Sequence, residues 1–168
     1  MFGIKNNISL IGMAACGKST TGVVLAKALG LSFIDTDLML QQKHGRYLWE
    51  IIQAEGILKF IEYESAVIRS LTTVNSCIAT GGSVVYSDSA MLYLQKISHV
   101  IYLDLPFDEI EQRLHDIKGR GVVIDEGKTL RDIYDERKLL YERYAHIVIA
   151  AAGKSVEDIV GEVVNRFS

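Results

Sequence analysis

A three-layer α/β/α sandwich around a five-stranded parallel sheet is the fold this sequence predicts, and two observations predict it. Short apolar, β-branched runs alternate with helical patterns along the whole chain, and runs apolar throughout belong to strands buried on both faces. Right-handed crossovers between such strands place helices on both sides of the sheet. The length, 168 residues with 49% apolar, fits one domain over 1–168 with a single core.

The elements follow in order. Ile-Ser-Leu-Ile at 8–11 is the first strand, and 20–29 the helix after it. A second strand at 32–35 leads into helical stretches at 38–43, 48–54 and 57–71. The third strand, 77–80, precedes a helix near 89–95; the fourth, 99–103, precedes one near 107–115. A fifth strand at 147–149 and a closing helix at 156–167 complete the pattern. Within the helical region that follows the fourth strand, 118–128 is loop-like. It carries Gly119, Gly121 and Gly127 around Arg120, the composition of a lid that closes over a site.

Composition excludes several classes. A net charge of −3 lacks the basic face a nucleic-acid binder needs. No apolar run reaches the length of a membrane span, and 8–11 is too brief for a secretory leader, so a cytoplasmic protein is expected. Two cysteines, Cys16 and Cys77, are too few for a disulfide framework, and the four histidines are scattered without metal-ligand spacing.

Directly after the first strand and before the first helix stands Gly12-Met13-Ala14-Ala15-Cys16-Gly17-Lys18-Ser19. It satisfies Gly-x-x-x-x-Gly-Lys-Ser/Thr in the strand–loop–helix context the motif requires. Glycines let the backbone curl so that its N–H groups point at phosphate oxygens, and the helix start adds its positive dipole end. Lys18 is thereby expected to reach the β- and γ-phosphates of ATP, and the Ser19 hydroxyl to ligate Mg²⁺. Gly12, Ala15, Cys16, Gly17, Lys18, Ser19 and Thr20 form the expected nucleotide site of a P-loop NTPase fold. The guanine-reading Asn-Lys-x-Asp of GTPases is absent, which leaves a small kinase whose acceptor site lies in the same domain.

The acceptor is expected at the end of the second strand, where Asp35-Thr36-Asp37 stand beside the P-loop. In extended backbone, carboxylates one residue apart project to the same side, one toward Mg²⁺ and the other toward the acceptor hydroxyl. A competing reading makes Asp37 the cap of the next helix.

On these residues the chain resembles the shikimate kinase family, over nearly its whole length. The likeness joins the P-loop, the strand end Phe33-Ile34-Asp35-Thr36-Asp37, the turn Ala79-Thr80-Gly81-Gly82 and the Arg120 lid. It extends to Glu136-Arg137-Lys138-Leu139-Leu140-Tyr141, similar to the family's Glu-Arg-x-x-x-Tyr. The resemblance implies that Asp35 helps hold Mg²⁺, that Asp37 contacts the acceptor hydroxyl and serves as base, and that the Gly81-Gly82 backbone approaches the acceptor. It further implies that Arg113 lies against the adenine, that Arg120 swings in to neutralise the transferring phosphoryl group, and that Arg137 pairs with the acceptor carboxylate. Positive charge and positioning are what phosphoryl transfer demands.

Three positions depart from the family pattern. Where it has Phe-Arg-x-x-Glu, with an arginine that clamps the substrate carboxylate, this chain has Phe60-Ile61-Glu62-Tyr63-Glu64, so Ile61 replaces that arginine. Ser83 replaces the last of three glycines, and Arg120-Gly121-Val122-Val123 replaces Arg-Pro-Leu-Leu. An isoleucine offers no donor, and the fork of an arginine has no ready substitute. Three readings stand at this point: a kinase that converts shikimate to shikimate 3-phosphate, a sibling kinase for another hydroxylated acid, sugar or amino acid, and a nucleotide-binding regulator without turnover. A monomer or weak homo-oligomer is expected.

Overall fold

The computed structural model describes residues 6–116 and 127–167. Arg120 and most of the expected lid lie outside the described residues. The five strands are β1 (Ile8–Ile11), β2 (Ser32–Asp35), β3 (Ser76–Ala79), β4 (His99–Asp104) and β5 (Ile147–Ala150). They form one sheet in the order β2-β3-β1-β4-β5, with every neighbouring pair parallel.

The order explains where a ligand goes. From the central β1 the chain moves outward to β2 through α1 (Lys18–Leu29), then returns in the other direction through β3 to β4 and β5. Right-handed crossovers in opposite directions put their helices on opposite faces. At the reversal, β1 and β3 diverge at their carboxyl ends and open a cleft between the loops that follow them. The register of Leu10 opposite Ala79 and of Asp35 opposite Ala79 brings the ends of β1, β3 and β2 to one level. The P-loop, the Thr80–Gly82 turn and Asp35 therefore emerge side by side.

The main core lies where the strands are buried on both faces: Ile8, Leu10, Ile78, Ile101 and Leu103 are all sealed from solvent. A second, smaller core belongs to α2 (Thr36–His44), α3 (Leu48–Glu55) and α4 (Ile57–Arg69), the helices between β2 and β3. Leu40, Ile51, Phe60 and Val67 fill it. Each such side chain contributes about 1.5–3 kcal/mol, enough to hold this trio as a unit beside the cleft. The remaining helices are α5 (Asp88–Ile97), α6 (Phe107–Asp116), α7 (Leu130–Tyr144) and α8 (Val156–Phe167), with a 3-10 turn at Gly82–Tyr86. Among the described residues no helix is long and apolar enough to cross a membrane.

Boundaries differ from the sequence reading in ways with simple causes. α2 starts at Thr36, two residues earlier than expected, because the Asp35 carboxylate accepts hydrogen bonds from the backbone N–H groups of Asp37 (3.0 Å) and Leu38 (3.3 Å). β3 ends one residue early because Thr80 turns to bond Leu10 O through both its N–H and its hydroxyl. α7 begins at a reciprocal cap: Asp132 N–H donates to Thr129 Oγ1, and Thr129 N–H to Asp132 Oδ2.

Candidate active site

The P-loop backbone takes positive φ at two glycines and one alanine. Gly12 has φ +147°, Ala15 +65° and Gly17 +96°. A Cβ at Gly12 would lie 2.8 Å from Cys16 Sγ and 2.9 Å from Leu103 O, so side chain and backbone both exclude one. Helix α1 then begins at Gly17 with no side-chain cap and no acidic residue in its first turn. That combination leaves a positive helix end ready for an anion. By contrast, the N-terminus of α2 is already satisfied by Asp35.

Lys18 is buried within this loop, its ammonium donating to Gly12 O (2.8 Å) and Met13 O (2.7 Å). The Ser19 hydroxyl donates to Asp35 Oδ2 at 2.7 Å. Asp35 thus joins α1 to α2: one oxygen caps the helix and the other receives Ser19. Arg113 on α6 reaches over the loop, its Nη1 donating to Ala15 O at 3.1 Å. Thr20 is exposed at the rim of the cleft. Cys16 fills the turn under Gly12 as a small buried residue, while burial in β3 pushes the Cys77 thiol up to about 12.

A cleft of about 570 Å³ runs from Lys18 and Ser19 to the α2–α4 trio, and it also receives Asp37, Gly81, Gly82 and Arg137. The sequence reading had Asp35 and Asp37 project together from extended backbone. Instead the chain is helical from Thr36, and Asp37 arrives in the cleft from the first turn of α2. The cap is Asp35, not Asp37. Gly81 shows how tightly the floor is packed: a Cβ there would lie 2.1 Å from Glu64 Oε1 and 2.7 Å from Asp37 Oδ1. For Gly81→Ala we expect the acceptor KM to rise about tenfold or more, since both carboxylates must move, while the ATP KM stays within about threefold. Steady-state kinetics with each substrate varied checks this.

Arg137, on α7, is 1% exposed yet borders the cleft. Its Nε donates to Tyr86 Oη at 3.4 Å, its guanidinium lies 5.2 Å from the Tyr86 ring centroid, and Nη1 comes within 3.2 Å of where a Gly82 Cβ would stand. The Tyr141 hydroxyl one turn along donates to Gly82 O at 2.6 Å and ties α7 to the turn.

Two residues that the sequence reading left without a role are prominent here. Glu64 is fully buried on α4 and receives a hydrogen bond from the hydroxyl of Ser83. Burial, with the Asp37 charge adding to it, pushes its carboxyl up to about 8; Ser83, Arg137 and Lys18 act in the opposite direction. The folded chain keeps this proton while the unfolded chain releases it above its ordinary value near 4.5. Stability therefore falls as pH rises from there to about 8. The sequence carried two signals: Glu64 stands at the glutamate of the family's Phe-Arg-x-x-Glu, and Phe60, Glu64, Val67 and Ile68 form one buried stripe, with an acid in it.

Ile61, in contrast, lines no part of the cleft. It sits in a separate shallow groove of about 520 Å³ with Lys59, Arg69 and Tyr86. Trp49, the chain's only tryptophan, is 49% exposed at the cleft mouth. Saturating acceptor should change its emission, and a spectrum unmoved by a bound acceptor would contradict that position.

Comparisons with known proteins bear on the whole chain. The family model described as shikimate kinase matches residues 14–168. A shikimate kinase of Clostridium botulinum is 33% identical over 161 residues, 95% of this chain and 96% of that one. Another, shikimate kinase 2 of Dickeya chrysanthemi, is 33% identical over 86% of each. The solved structure of shikimate kinase from Acinetobacter baumannii in complex with shikimate is similar with a TM-score of 0.90 and 29% identity, over 98% of this chain and 93% of that chain. With a phosphate-binding loop and an enclosed cleft that fit the same chemistry, this chain belongs to the shikimate kinase family, phosphotransferases that act on a hydroxyl group.

Proposed function

We propose that the protein transfers the γ-phosphate of ATP to a ring hydroxyl of shikimate, giving shikimate 3-phosphate and ADP. The observation that carries this reading is the convergence of Lys18, Asp37 and the buried Arg137 on one cleft. Lys18 and the α1 N-terminus meet the phosphates, and Arg113 closes over the loop on the nucleotide side. Asp37 accepts the hydroxyl proton as the new P–O bond forms and the bond to the β-phosphate breaks; the electron pair leaves on ADP. Arg137 faces the acceptor carboxylate, and the Gly81-Gly82 backbone lets the ring approach. Arg120 is assigned to the transferring phosphoryl group on the family pattern alone.

Mg²⁺ fits the donor set. Ser19 Oγ and Asp35 Oδ2 are hard oxygens 2.7 Å apart. Among the described residues no three His, Cys, Asp or Glu side chains gather into a site that holds an ion unaided. An ion that keeps its water and phosphate ligands and takes one or two protein oxygens suits such a pair. When bound, it neutralises charge on the phosphates. Two buried free cysteines support a reducing, cytoplasmic setting.

The test is ADP release with Mg²⁺ and ATP over a panel of shikimate, other hydroxylated acids, sugars and amino acids. The reading expects shikimate to give the highest kcat/KM. A higher value for another acceptor would reassign the pocket.

A further inference from the structure

Arg137 is held from outside the cleft as well as from within it. Its Nε donates to the Tyr86 hydroxyl at 3.4 Å, and its guanidinium carbon stands 5.2 Å from the centre of the Tyr86 ring. The same hydroxyl donates its proton to the carboxylate of Glu136, the neighbour of Arg137 on α7. One phenol oxygen is therefore acceptor and donor at once, and each bond fixes the direction of the other. Lys128 Nζ meets Glu136 Oε2 at 2.9 Å. The Tyr86 hydroxyl, and after it Lys128, hold the Glu136 carboxyl below its ordinary range, so that it stays an acceptor.

Tyr86 is itself firmly seated. It ends the 3-10 turn, and the next residue, Ser87, donates its N–H to Val84 O (3.0 Å) and its hydroxyl to Ser65 Oγ on α4 (2.8 Å). The Tyr86 ring is half-buried and lines the shallow groove that holds Ile61, but it is not part of the cleft wall. Whatever it does for the acceptor it does through Arg137.

These contacts decide which edge of Arg137 serves the cleft. A guanidinium pairs with a carboxylate in two bidentate ways, through its two terminal nitrogens or through Nε and one of them. Tyr86 occupies Nε and closes the second way. Nη1 lies within 3.2 Å of the point where a Gly82 Cβ would stand, and Gly82 is part of the cleft wall. Tyr141, on the same helix as Arg137, bonds the guanidinium as well, but Nε belongs to Tyr86.

On the reading of the acceptor given above, we propose that Tyr86 is a positioning residue for acceptor recognition: it holds the Nε edge of Arg137 so that the terminal nitrogens meet the acceptor carboxylate. The departure at 61 gives this more weight. The family pattern brings an arginine to that carboxylate from α4, whereas here Ile61 lies in the groove beside Tyr86. Alignment of the α7 guanidinium then counts for more, and a fork aligned before binding loses less freedom for each hydrogen bond it forms.

The experiment uses two acceptors, shikimate and its neutral methyl ester, with wild type, Tyr86→Phe, Arg137→Lys and the two substitutions combined. Tyr86→Phe keeps the ring and removes the hydroxyl. It should raise the KM for shikimate about fivefold or more. The kcat, the ATP KM and the KM for the methyl ester should stay within about twofold. In the Arg137→Lys background the same substitution should change the shikimate KM by less than about twofold, because a lysine has no Nε edge to hold. Equal losses with both acceptors, or an undiminished loss in the Arg137→Lys background, would make Tyr86 a packing residue and overturn the proposal.

NMR of arginine Nε–H groups in the free protein needs no acceptor. The signal that Arg137→Lys removes should shift in Tyr86→Phe and exchange with water faster than in wild type. A signal unmoved by Tyr86→Phe would overturn the proposal equally. If the signal responds while wild type neither binds nor phosphorylates shikimate, the reading of the acceptor fails, and with it the recognition role but not the hold of Tyr86 on Arg137.

Discussion

Lys18→Ala lowers kcat by about 10²–10³-fold or more, the first of two large effects the site predicts. Transfer of a phosphoryl group needs little covalent help from protein and much fixed positive charge. Lys18 is the ammonium inside the loop, anchored on Gly12 O and Met13 O, so its position is set before any phosphate arrives. A group fixed in advance costs no reorganisation at the moment of reaction. The substitution also frees two loop carbonyls, so Lys18→Met, which keeps the aliphatic stem, serves as the companion variant. Single-turnover and steady-state rates check both; activity within tenfold of wild type in either would contradict the assignment.

Asp37→Asn lowers kcat by about 10²–10⁴-fold, the range a positioned general base supplies. The amide keeps the size of the side chain and its place in the first turn of α2, which Asp35 and not Asp37 caps. Fold and nucleotide binding should therefore survive, and the ATP KM should change little. The acceptor KM should move less than kcat, because contact with the hydroxyl persists while the proton acceptor is gone. Kinetics with each substrate varied separates the terms. A loss confined to KM would make Asp37 a binding group only.

The parts of this molecule that were legible in the sequence are those encoded locally. The P-loop is one contiguous segment whose backbone demands are met by Gly12 and Gly17, and the strands announce themselves as apolar runs. Handedness then puts helices on both faces of the sheet, but the order β2-β3-β1-β4-β5 is a product of the folded structure and was not read from the sequence. Where the sequence misled, a non-local or competing term decided. Asp35 and Asp37 were placed in extended backbone, but a carboxylate able to cap two N–H groups ends the strand and starts the helix at once.

Glu64 escaped for a related reason. It stands at the glutamate of the family's Phe-Arg-x-x-Glu, but the comparison there turned on Ile61 and gave Glu64 no role; its step from Phe60 to Val67 and Ile68 puts it on the buried face. Its partner Ser83 lies in a five-residue 3-10 turn too short to show a period. Arg137 had no local mark either. It counted as a candidate through family resemblance, and its burial against Tyr86 and Gly82 is a product of the packing of α7 on the turn.

The central claim is that this cleft joins the terminal phosphate of ATP to a hydroxyl of shikimate, and the direct measurement is ³¹P NMR of the complete reaction. With ATP, Mg²⁺ and shikimate, the account predicts loss of the γ-phosphate signal, growth of ADP, and an equal new phosphate-monoester resonance that couples to a ring proton of shikimate. ADP accompanied only by inorganic phosphate, or no ADP at all, would contradict it.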